Sequence, residues 1–310
     1  MSYNHLSESN CNSQKDSFSL NNVITCINTA GVNTDAALQI IFRILFFLFF
    51  CVNSASAQND SIKKKTATEI FLSQPNFSMY KDNYFITGTS FKEGPSINNS
   101  DVKFQISLKY RINQKPVFDN VYAYMTYTQK SFWEVYQESK PFGDINFNPG
   151  VGLIRPYMSK KGRLGYYSLM LEHESNGKDS ISSRSWNFIS LNWGAEVSPK
   201  LIIDAKITIP YGSLSDNTDL LKYIGYGDIG FTYIFIPQKL YAKVILKKGA
   251  DWDSRGSVET QLFFKVIPSS NLYMMLQGFH GYGENLLQYN TEVSRIRFGF
   301  VIKPNFMNFF

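Results

Sequence analysis

Residues 102–112 read VKFQISLKYRI, and their side chains alternate between apolar and polar at every position. The even positions, from Val102 to Ile112, are apolar throughout, whereas the odd positions carry Lys, Gln, Ser and Arg. Because successive side chains of a strand point to opposite faces, a period of two is typical of a β-strand. This stretch therefore predicts a strand with one wholly apolar face and one wholly polar face.

The same alternation returns along the chain, for example in residues 203–209, 240–247 and 295–303. Twelve such segments can be counted. Many are about ten residues long, the length that a tilted strand needs to cross a bilayer. They begin near residues 82, 101, 119, 146, 164, 186, 200, 223, 239, 257, 271 and 294. No helical period separates them, so we expect no helix between the strands.

Two architectures fit this pattern. A soluble β-sandwich would bury the apolar faces between two sheets, whereas a membrane barrel would turn them to lipid and keep the polar faces in its lumen. The even strand number favours the barrel, and so do the connections, which are alternately short and long. Short turns are expected at residues 113–114, 161–162, 198–199, 237–238 and 268–270, and longer loops at 137–144, 176–185, 212–221 and 281–292. We therefore predict an all-β fold, a twelve-stranded antiparallel transmembrane β-barrel.

Composition narrows the class of protein further. The chain has 310 residues, is 16% aromatic and carries a formal charge of +6. It contains no apolar run of the roughly 18–20 residues that a spanning helix requires. Inward Lys and Arg side chains can pair with lumenal acids such as Glu172, Glu174 and Asp204, and basic residues form no cluster along the chain. A nucleic-acid partner is therefore not expected.

The amino-terminal region predicts export. Arg43 precedes an apolar run over residues 44–52, and Ala55-Ser56-Ala57 follows as a small-residue cleavage site. This order is typical of a cleavable signal peptide, and nine apolar residues are too few for a membrane anchor. We assign residues 1–57 to an amino-terminal extension with its signal peptide and residues 58–310 to the barrel. All three cysteines precede residue 52, so a nucleophile in the mature chain cannot be a thiol.

Residues 164–197 hold the candidate chemistry. On the strand that begins near residue 164, His173 and Ser175 share the apolar, outward face, and a hairpin can place Asn187 beside His173. A base activates a serine hydroxyl, and a third group fixes the orientation of that base, which is the logic of a catalytic triad. The intervening loop is rich in oxygen ligands suited to a hard cation such as Ca²⁺. The alternative is that these are ordinary polar residues at the barrel rim; His280 is expected to be a loop residue.

The motif His173-Glu174-Ser175-Asn176-Gly177-Lys178, followed by SSRSWN at residues 182–187, closely resembles the signature of the outer membrane phospholipase A family. The resemblance extends through most of the mature chain. Further similar blocks are VKFQISL at 102–108, YTQKSFW at 127–133, ESKPF at 138–142 and GYGENLLQY at 281–289.

The resemblance implies a serine-dependent phospholipase A1/A2 that also cleaves lysophospholipids and resides in the outer membrane. It assigns Ser175 as nucleophile, His173 as general base and Asn187 as the orienting residue, with the backbone amide of Gly177 in the oxyanion hole.

It also implies Ca²⁺ as cofactor and a homodimer as the active form. The ligands would be the Lys178 carbonyl, the Ser183 hydroxyl and Ser139 of the other subunit, and Gln129 would lie in the dimer interface. Two other functions are compatible with the strand pattern alone: a catalytically inactive outer-membrane pore or adhesin, and a soluble sandwich-type binding protein.

Overall fold

The computed structural model describes residues 65–303, which form one antiparallel sheet with two short α-helices and one turn of 3-10 helix at Ser180–Ser182. The predicted signal peptide and the boundary between residues 57 and 58 lie outside these residues. The strands are β1 (Phe77–Met79), β2 (Asn83–Ser90), β3 (Ser100–Arg111), β4 (Tyr122–Trp133), β5 (Phe142–Met158), β6 (Leu164–Ser175), β7 (Ser185–Ser198), β8 (Leu201–Tyr211), β9 (Gly227–Ile236), β10 (Leu240–Lys248), β11 (Gly256–Lys265), β12 (Leu272–Gly281) and β13 (Val293–Ile302). The helices are α1 (Ala67–Leu72) and α2 (Leu220–Ile224).

The sheet closes on itself. Each strand from β2 to β12 pairs with the next strand along the chain, and β13 pairs with β2, for example through Phe298 opposite Thr87. Strands β2 to β13 therefore form a closed, twelve-stranded antiparallel barrel, as predicted. Since the sheet is closed, the sandwich alternative is wrong.

The short strand β1 is an addition to this barrel. Met79 of β1 lies opposite Leu108, and Tyr84 of β2 lies opposite Gln105, so both strands pair with the same edge of β3. Residues 80–83 on one side thus lie opposite residues 106–107 on the other, four against two, which makes an irregular bulge between β1 and β2. The two segments together act as the first strand of the barrel.

The exterior of the barrel is apolar and its lumen is polar. Outward positions leave large apolar side chains exposed on many strands, among them Ile106, Met125, Val151, Leu171, Ile207, Leu246, Leu262, Leu276 and Phe298. The intervening positions bury polar side chains in the lumen, including Gln105, Thr126, Ser168, Gln261 and Gln277. This is the reverse of a water-soluble domain and matches a barrel whose outer wall faces lipid.

Ion pairs line the lumen, as the inward register of the Lys and Arg side chains predicts. Lys206 pairs with Glu172 at 2.9 Å, and Lys243 pairs with Asp204 at 3.1 Å. The third predicted acid, Glu174, instead accepts a hydrogen bond from the Trp186 indole at 3.0 Å. The basic residues therefore neutralise the interior of the barrel.

The connections follow the predicted alternation, with three differences. The short turn expected at residues 113–114 is wrong, because β3 ends at Arg111 and β4 begins at Tyr122, which leaves a connection of ten residues. Strand β5 begins at Phe142 rather than near residue 146, because Asp144 and Asn146 face the lumen as strand residues. The loop between β8 and β9 contains α2, so the expectation of no helix between the strands is wrong. Helix α2 spans only five residues, too few for a helical period to be visible in the sequence. Neither helix of residues 65–303 has the length and apolar character to cross a membrane.

Helix α1 packs at the barrel end that carries the short turns. Phe71 and Ala67 are buried in an apolar cluster with barrel residues such as Tyr122 and Ile154. The guanidinium of Arg111, at the end of β3, donates to the carbonyl of Phe71 at 2.8 Å and so caps the carboxyl end of the helix. Between α1 and the longer loops at the opposite end, the lumen encloses a cavity of about 480 Å³.

A buried ion cluster ties the loop at residues 282–292 to the barrel wall. Glu284 pairs with Arg297 of β13 at 2.5 Å and with Lys103 of β3 at 3.1 Å, and all three side chains are at most 5% exposed. Asp101 completes the cluster by accepting from Arg297 at 2.6 Å. Burial would raise the pKa of the Glu284 carboxyl, but the charges of Arg297 and Lys103 outweigh it and lower this pKa to about 2. Glu284 is therefore ionised at any pH near neutrality.

We predict that Glu284→Gln lowers the free energy of unfolding by about 3–5 kcal/mol, because it removes the carboxylate that pairs with buried Lys103 and leaves buried Arg297 with Asp101 alone. Urea titration of the folded, heat-modifiable form in detergent measures this loss. The matched control is Glu292→Gln in the same loop, whose partner Lys92 is exposed, so that its cost should stay below about 1 kcal/mol. Since the pKa of Glu284 lies below the roughly 4.3 of an unfolded glutamate, its contribution is present at neutral pH and is lost as pH falls from about 4 to 2. Equal stability of both variants at pH 7 would contradict this assignment.

Candidate active site

The hairpin of β6 and β7 brings an imidazole and a carboxamide together. His173 lies directly opposite Asn187 in the register of the two strands, and His173 Nδ1 is 2.9 Å from Asn187 Oδ1. If the amide oxygen accepts this bond, the proton resides on Nδ1 and Nε2 is left free as a base.

These side chains lie on the outside of the barrel. His173 and Ser175 share the face of Leu171, whose side chain is 49% exposed, and Asn187 shares the face of Ile189. All three polar residues are half-buried. A polar group on an otherwise apolar, lipid-facing wall is costly and marks a functional position by default.

Ser175 is the last residue of β6 and lies two positions beyond His173 on the same face. Within residues 65–303 no hydrogen bond joins the Ser175 hydroxyl to the His173 ring. Hydrogen bonds between catalytic groups are often loose before substrate binds. The hairpin therefore assembles a base with its orienting amide and holds a hydroxyl one strand repeat away.

Aromatic side chains flank this arrangement on both neighbouring strands. Phe147 of β5 lies opposite Ser175, and Tyr211 of β8 lies opposite Asn187. The polar residues therefore sit in a shallow band with an aromatic residue on each side. The sequence pattern did not identify these flanking residues, because they are found only once the strand register is known.

The loop that follows Ser175 is held in shape by Asn176. Its buried side chain accepts from the backbone N–H groups of Lys178 and Arg184 at 3.3 and 3.0 Å, and it donates to the Ser182 carbonyl at 2.9 Å. Gly177 follows in a left-handed conformation, with φ of 64°. A Cβ at this position would also lie 3.0 Å from the Phe147 ring, so the site requires glycine.

The residues named as metal ligands lie on two loops. Ser183 donates its hydroxyl to Asp216 Oδ2 at 2.8 Å, and Lys178 extends its ammonium group to the Gly143 carbonyl at 2.7 Å. Ser139 is exposed in the separate loop between β4 and β5. The described residues contain no group of three or more His, Cys, Asp or Glu side chains able to hold a metal. Within one chain, the structure therefore brings Ser183 and Asp216 together but offers no carboxylate cage.

Gln129 lies on the outer wall of β4, away from the hairpin. Its amide accepts from the Tyr127 hydroxyl at 2.9 Å and donates to the Ser131 hydroxyl at 3.2 Å. The three side chains form a polar ladder on an otherwise apolar face, in which each is hydrogen-bonded to the next.

The expectation for His280 is wrong. It lies in β12 rather than in a loop, and its Nδ1 is 2.8 Å from the Ser294 hydroxyl on the neighbouring strand. The apolar positions of β12 predicted a strand here, but the glycines around His280 resemble a turn.

Comparison with known proteins yields matches over most of the chain. The family model described as phospholipase A1 matches residues 54–302. A phospholipase A1 of Salmonella typhimurium is 32% identical over 250 residues, which cover 73% of this chain and 81% of that protein. A phospholipase A1 of Escherichia coli K12 is 29% identical over 230 residues, covering 70% and 74% respectively.

Solved structures show the same fold. The outer membrane phospholipase dimer of Salmonella typhi with bound calcium superposes with a TM-score of 0.68 at 24% identity, covering 79% of this chain and 100% of that one. Outer membrane phospholipase A from Escherichia coli gives 0.67 at 24% identity, covering 78% and 98%.

We predict that Asn176→Ala mobilises the loop at residues 176–184. Removal of the Asn176 side chain leaves the N–H groups of Lys178 and Arg184 without their acceptor, at about 0.5–1.5 kcal/mol for each partly buried hydrogen bond. Hydrogen exchange should therefore accelerate at these two amides and stay unchanged in the loop at residues 249–255. The matched control is Asn285→Ala, because the Asn285 side chain accepts from the single backbone amide of Gln288 at 2.8 Å. Unchanged exchange at Lys178 would remove Asn176 from this role.

Proposed function

Since this chain belongs to the phospholipase A1 family and is therefore an ester hydrolase, we propose that it cleaves phospholipid acyl esters with a triad of Ser175, His173 and Asn187. The observation that carries the proposal is the hydrogen bond between His173 Nδ1 and Asn187 Oδ1 on the outer wall of the barrel, beside Ser175. We further propose that the enzyme acts in the outer membrane as a phospholipase A1 and A2 and on lysophospholipids.

In the first step, Nε2 of His173 takes the proton of the Ser175 hydroxyl as the oxygen attacks the ester carbonyl carbon. Asn187 accepts from the Nδ1–H and holds the ring in the tautomer whose Nε2 is basic. Because Ser175 and His173 share a face two residues apart, about 7 Å between Cα atoms, we propose that a side-chain rotation brings the hydroxyl to Nε2.

The attack produces a tetrahedral intermediate with a negative oxygen. The Gly177 N–H is proposed to donate to this oxyanion, and the left-handed φ of that residue turns its backbone in a way that other residues resist. As the intermediate collapses, the ester bond breaks and His173 returns its proton to the departing alcohol. Water then attacks the acyl-serine by the reverse sequence and releases the fatty acid.

The location of the hairpin suits this substrate. The ester bonds of a phospholipid lie just below its headgroups, at the edge of the hydrocarbon layer. Ser175 ends strand β6 on the side of the longer loops, so its outward hydroxyl is at the rim of the apolar wall. A lumenal or loop-borne hydroxyl would not meet the ester at that depth.

We propose that Ca²⁺ binds beside this site through the Ser183 hydroxyl and the Lys178 carbonyl. The donors fit a hard cation because both are oxygens, and the Asp216 carboxylate at Ser183 adds negative charge. When bound, Ca²⁺ would stabilise the negative charge that develops on the ester oxygen. The small number of donors in one chain supports a further ligand from a partner, for which we propose Ser139 of the partner subunit.

A homodimer is therefore the proposed active form, with Gln129 in its interface. The polar ladder of Tyr127, Gln129 and Ser131 on the outer wall is better accommodated against a second barrel than against lipid. We also propose that residues 40–57 act as the cleavable export signal and that residues 58–310 form the mature enzyme.

We predict that Ser175→Ala lowers fatty-acid release from mixed micelles by on the order of 10⁴- to 10⁶-fold while leaving the folded barrel intact. A fluorophosphonate probe should label the peptide that contains Ser175 and fail to label the variant. Ser185, which lies opposite Ser175 in the same hairpin, provides the matched control, since Ser185→Ala should retain activity. Retained hydrolysis in Ser175→Ala would exclude this serine as the nucleophile.

We predict that Ser183→Ala weakens Ca²⁺ binding by about tenfold or more, since it removes a ligand. Calorimetric titration with Ca²⁺ measures the affinity directly, and crosslinking in detergent with and without chelator measures the dimer. The control is Ser182→Ala in the same loop, where the backbone carbonyl rather than the hydroxyl is engaged. Equal affinity in both variants would place the cation elsewhere.

A further inference from the structure

The pairing of β5 with β6 is interrupted beside the candidate base. The two strands pair without a gap from Met158 opposite Leu164 to Gly150 opposite Glu172, and they pair again at Phe147 opposite Ser175. The two missing pairs would join Pro149 with His173 and Asn148 with Glu174. On β6 the gap therefore covers His173 and Glu174, immediately before the proposed nucleophile Ser175.

Proline explains the gap. In an antiparallel ladder, the two residues of a hydrogen-bonded pair exchange both N–H···O bonds. Pro149 has no N–H, so it cannot donate to the His173 carbonyl. The pair of Asn148 with Glu174 lies next to this bond and needs it as well, so both pairs are lost together. The flanking pairs, Gly150 with Glu172 and Phe147 with Ser175, are formed by other hydrogen bonds. The backbone of β5 thus leaves the His173 carbonyl without its normal donor.

The side chain of the preceding residue replaces the missing donor. Asn148 Nδ2 lies 3.0 Å from the His173 carbonyl oxygen, and Asn148 is 8% exposed on the lumenal face. A side-chain amide reaching from the interior therefore provides the bond that the proline nitrogen cannot make.

The orientation of His173 depends on this bond. Because its backbone groups point toward β5, the pairing of His173 with Asn187 is of the non-hydrogen-bonded kind, in which facing side chains approach more closely. This close approach allows the 2.9 Å contact between Nδ1 and Oδ1. A shift of the His173 backbone away from β5 would change the ring position relative to both Asn187 and Ser175.

We propose that Asn148 is a positioning residue for catalysis: its carboxamide holds the His173 backbone in place of the N–H that Pro149 lacks. This inference rests on the proposed function, in which His173 is the base. Asn148 faces the lumen, so it acts through the histidine and does not touch the ester. A misplacement of about 1 Å in a catalytic group can cost about 100-fold in rate.

The test is a double-mutant cycle over Asn148 and Pro149, with kcat and KM measured for fatty-acid release. Asn148→Ala should lower kcat about 10- to 100-fold with KM within about twofold, because the ring is displaced while the lipid-binding wall is unchanged. Pro149→Ala should stay near wild type. The variant with both changes should recover to within about threefold of wild type, since replacing the proline restores a backbone N–H to the ladder.

The matched control is Asn192→Ala, because Asn192 is a lumen-facing amide whose contacts are the hydroxyls of Ser168 and Ser190. Its kcat should be unchanged. If Asn148→Ala alone does not fold, the Pro149→Ala background still decides the question. In the Pro149→Ala background, Asn148→Ala must leave kcat unchanged. A further decrease in kcat would overturn the proposal.

A readout independent of activity separates this inference from the proposed function. Residues 58–310 contain two histidines, His173 and His280, so carbonyl-¹³C histidine labelling of the proposed mature chain gives two signals, assigned with His280→Gln. The His173 signal should shift in Asn148→Ala and return in the doubly substituted chain. A signal that does not move would overturn the proposal even if hydrolysis depends on Ser175. Recovery of the signal in a protein that hydrolyses no ester would instead refute the proposed function.

Discussion

The hydrogen-bond ladder that closes the barrel is the constraint on which the rest of the structure depends. In a sheet surrounded by lipid, no water reaches an unpaired N–H or C=O, so each such group must find a partner within the protein. Pairing of β13 with β2 meets this requirement and leaves no free edge. It also fixes the direction of every side chain, because alternate positions must then face lipid and lumen. The apolar outer wall, the ion pairs of the lumen and the outward register of His173 all follow from that closure.

The same constraint explains how polar residues persist on the outer wall. His173 and Asn187 satisfy each other across two strands, and Tyr127, Gln129 and Ser131 do so along one strand. A polar group that faces lipid must be paired, and pairing by a neighbour leaves one atom free for chemistry. In the imidazole, Asn187 occupies Nδ1 and leaves Nε2 available. The cost of placing a histidine at this depth is therefore reduced by the amide that also orients it.

Much of the fold was predictable from the sequence, because alternation is a local property. The strand expected near residue 164 begins at Leu164, and twelve strands close the barrel as predicted. The opposition of His173 and Asn187 also followed from the length of one hairpin.

What could not be predicted depends on register between strands that are not joined by a short turn. The contact of Asn148 with the His173 carbonyl is of this kind, although a proline inside a strand is a local sign of an irregular ladder. Asp216 belongs to a loop that was recognised as long, but nothing local joins it to Ser183.

The seam of the cylinder joins the two ends of the described chain. Residues 83–90 pair with residues 295–302, so the last strand of the barrel completes the pairing of its first strand. Contacts between such distant segments carry a large loss of chain entropy and form slowly. The barrel therefore cannot close until strand β13 is available to pair with β2. A chain that ended before β13 would expose an open edge on both β2 and β12, and such edges promote aggregation.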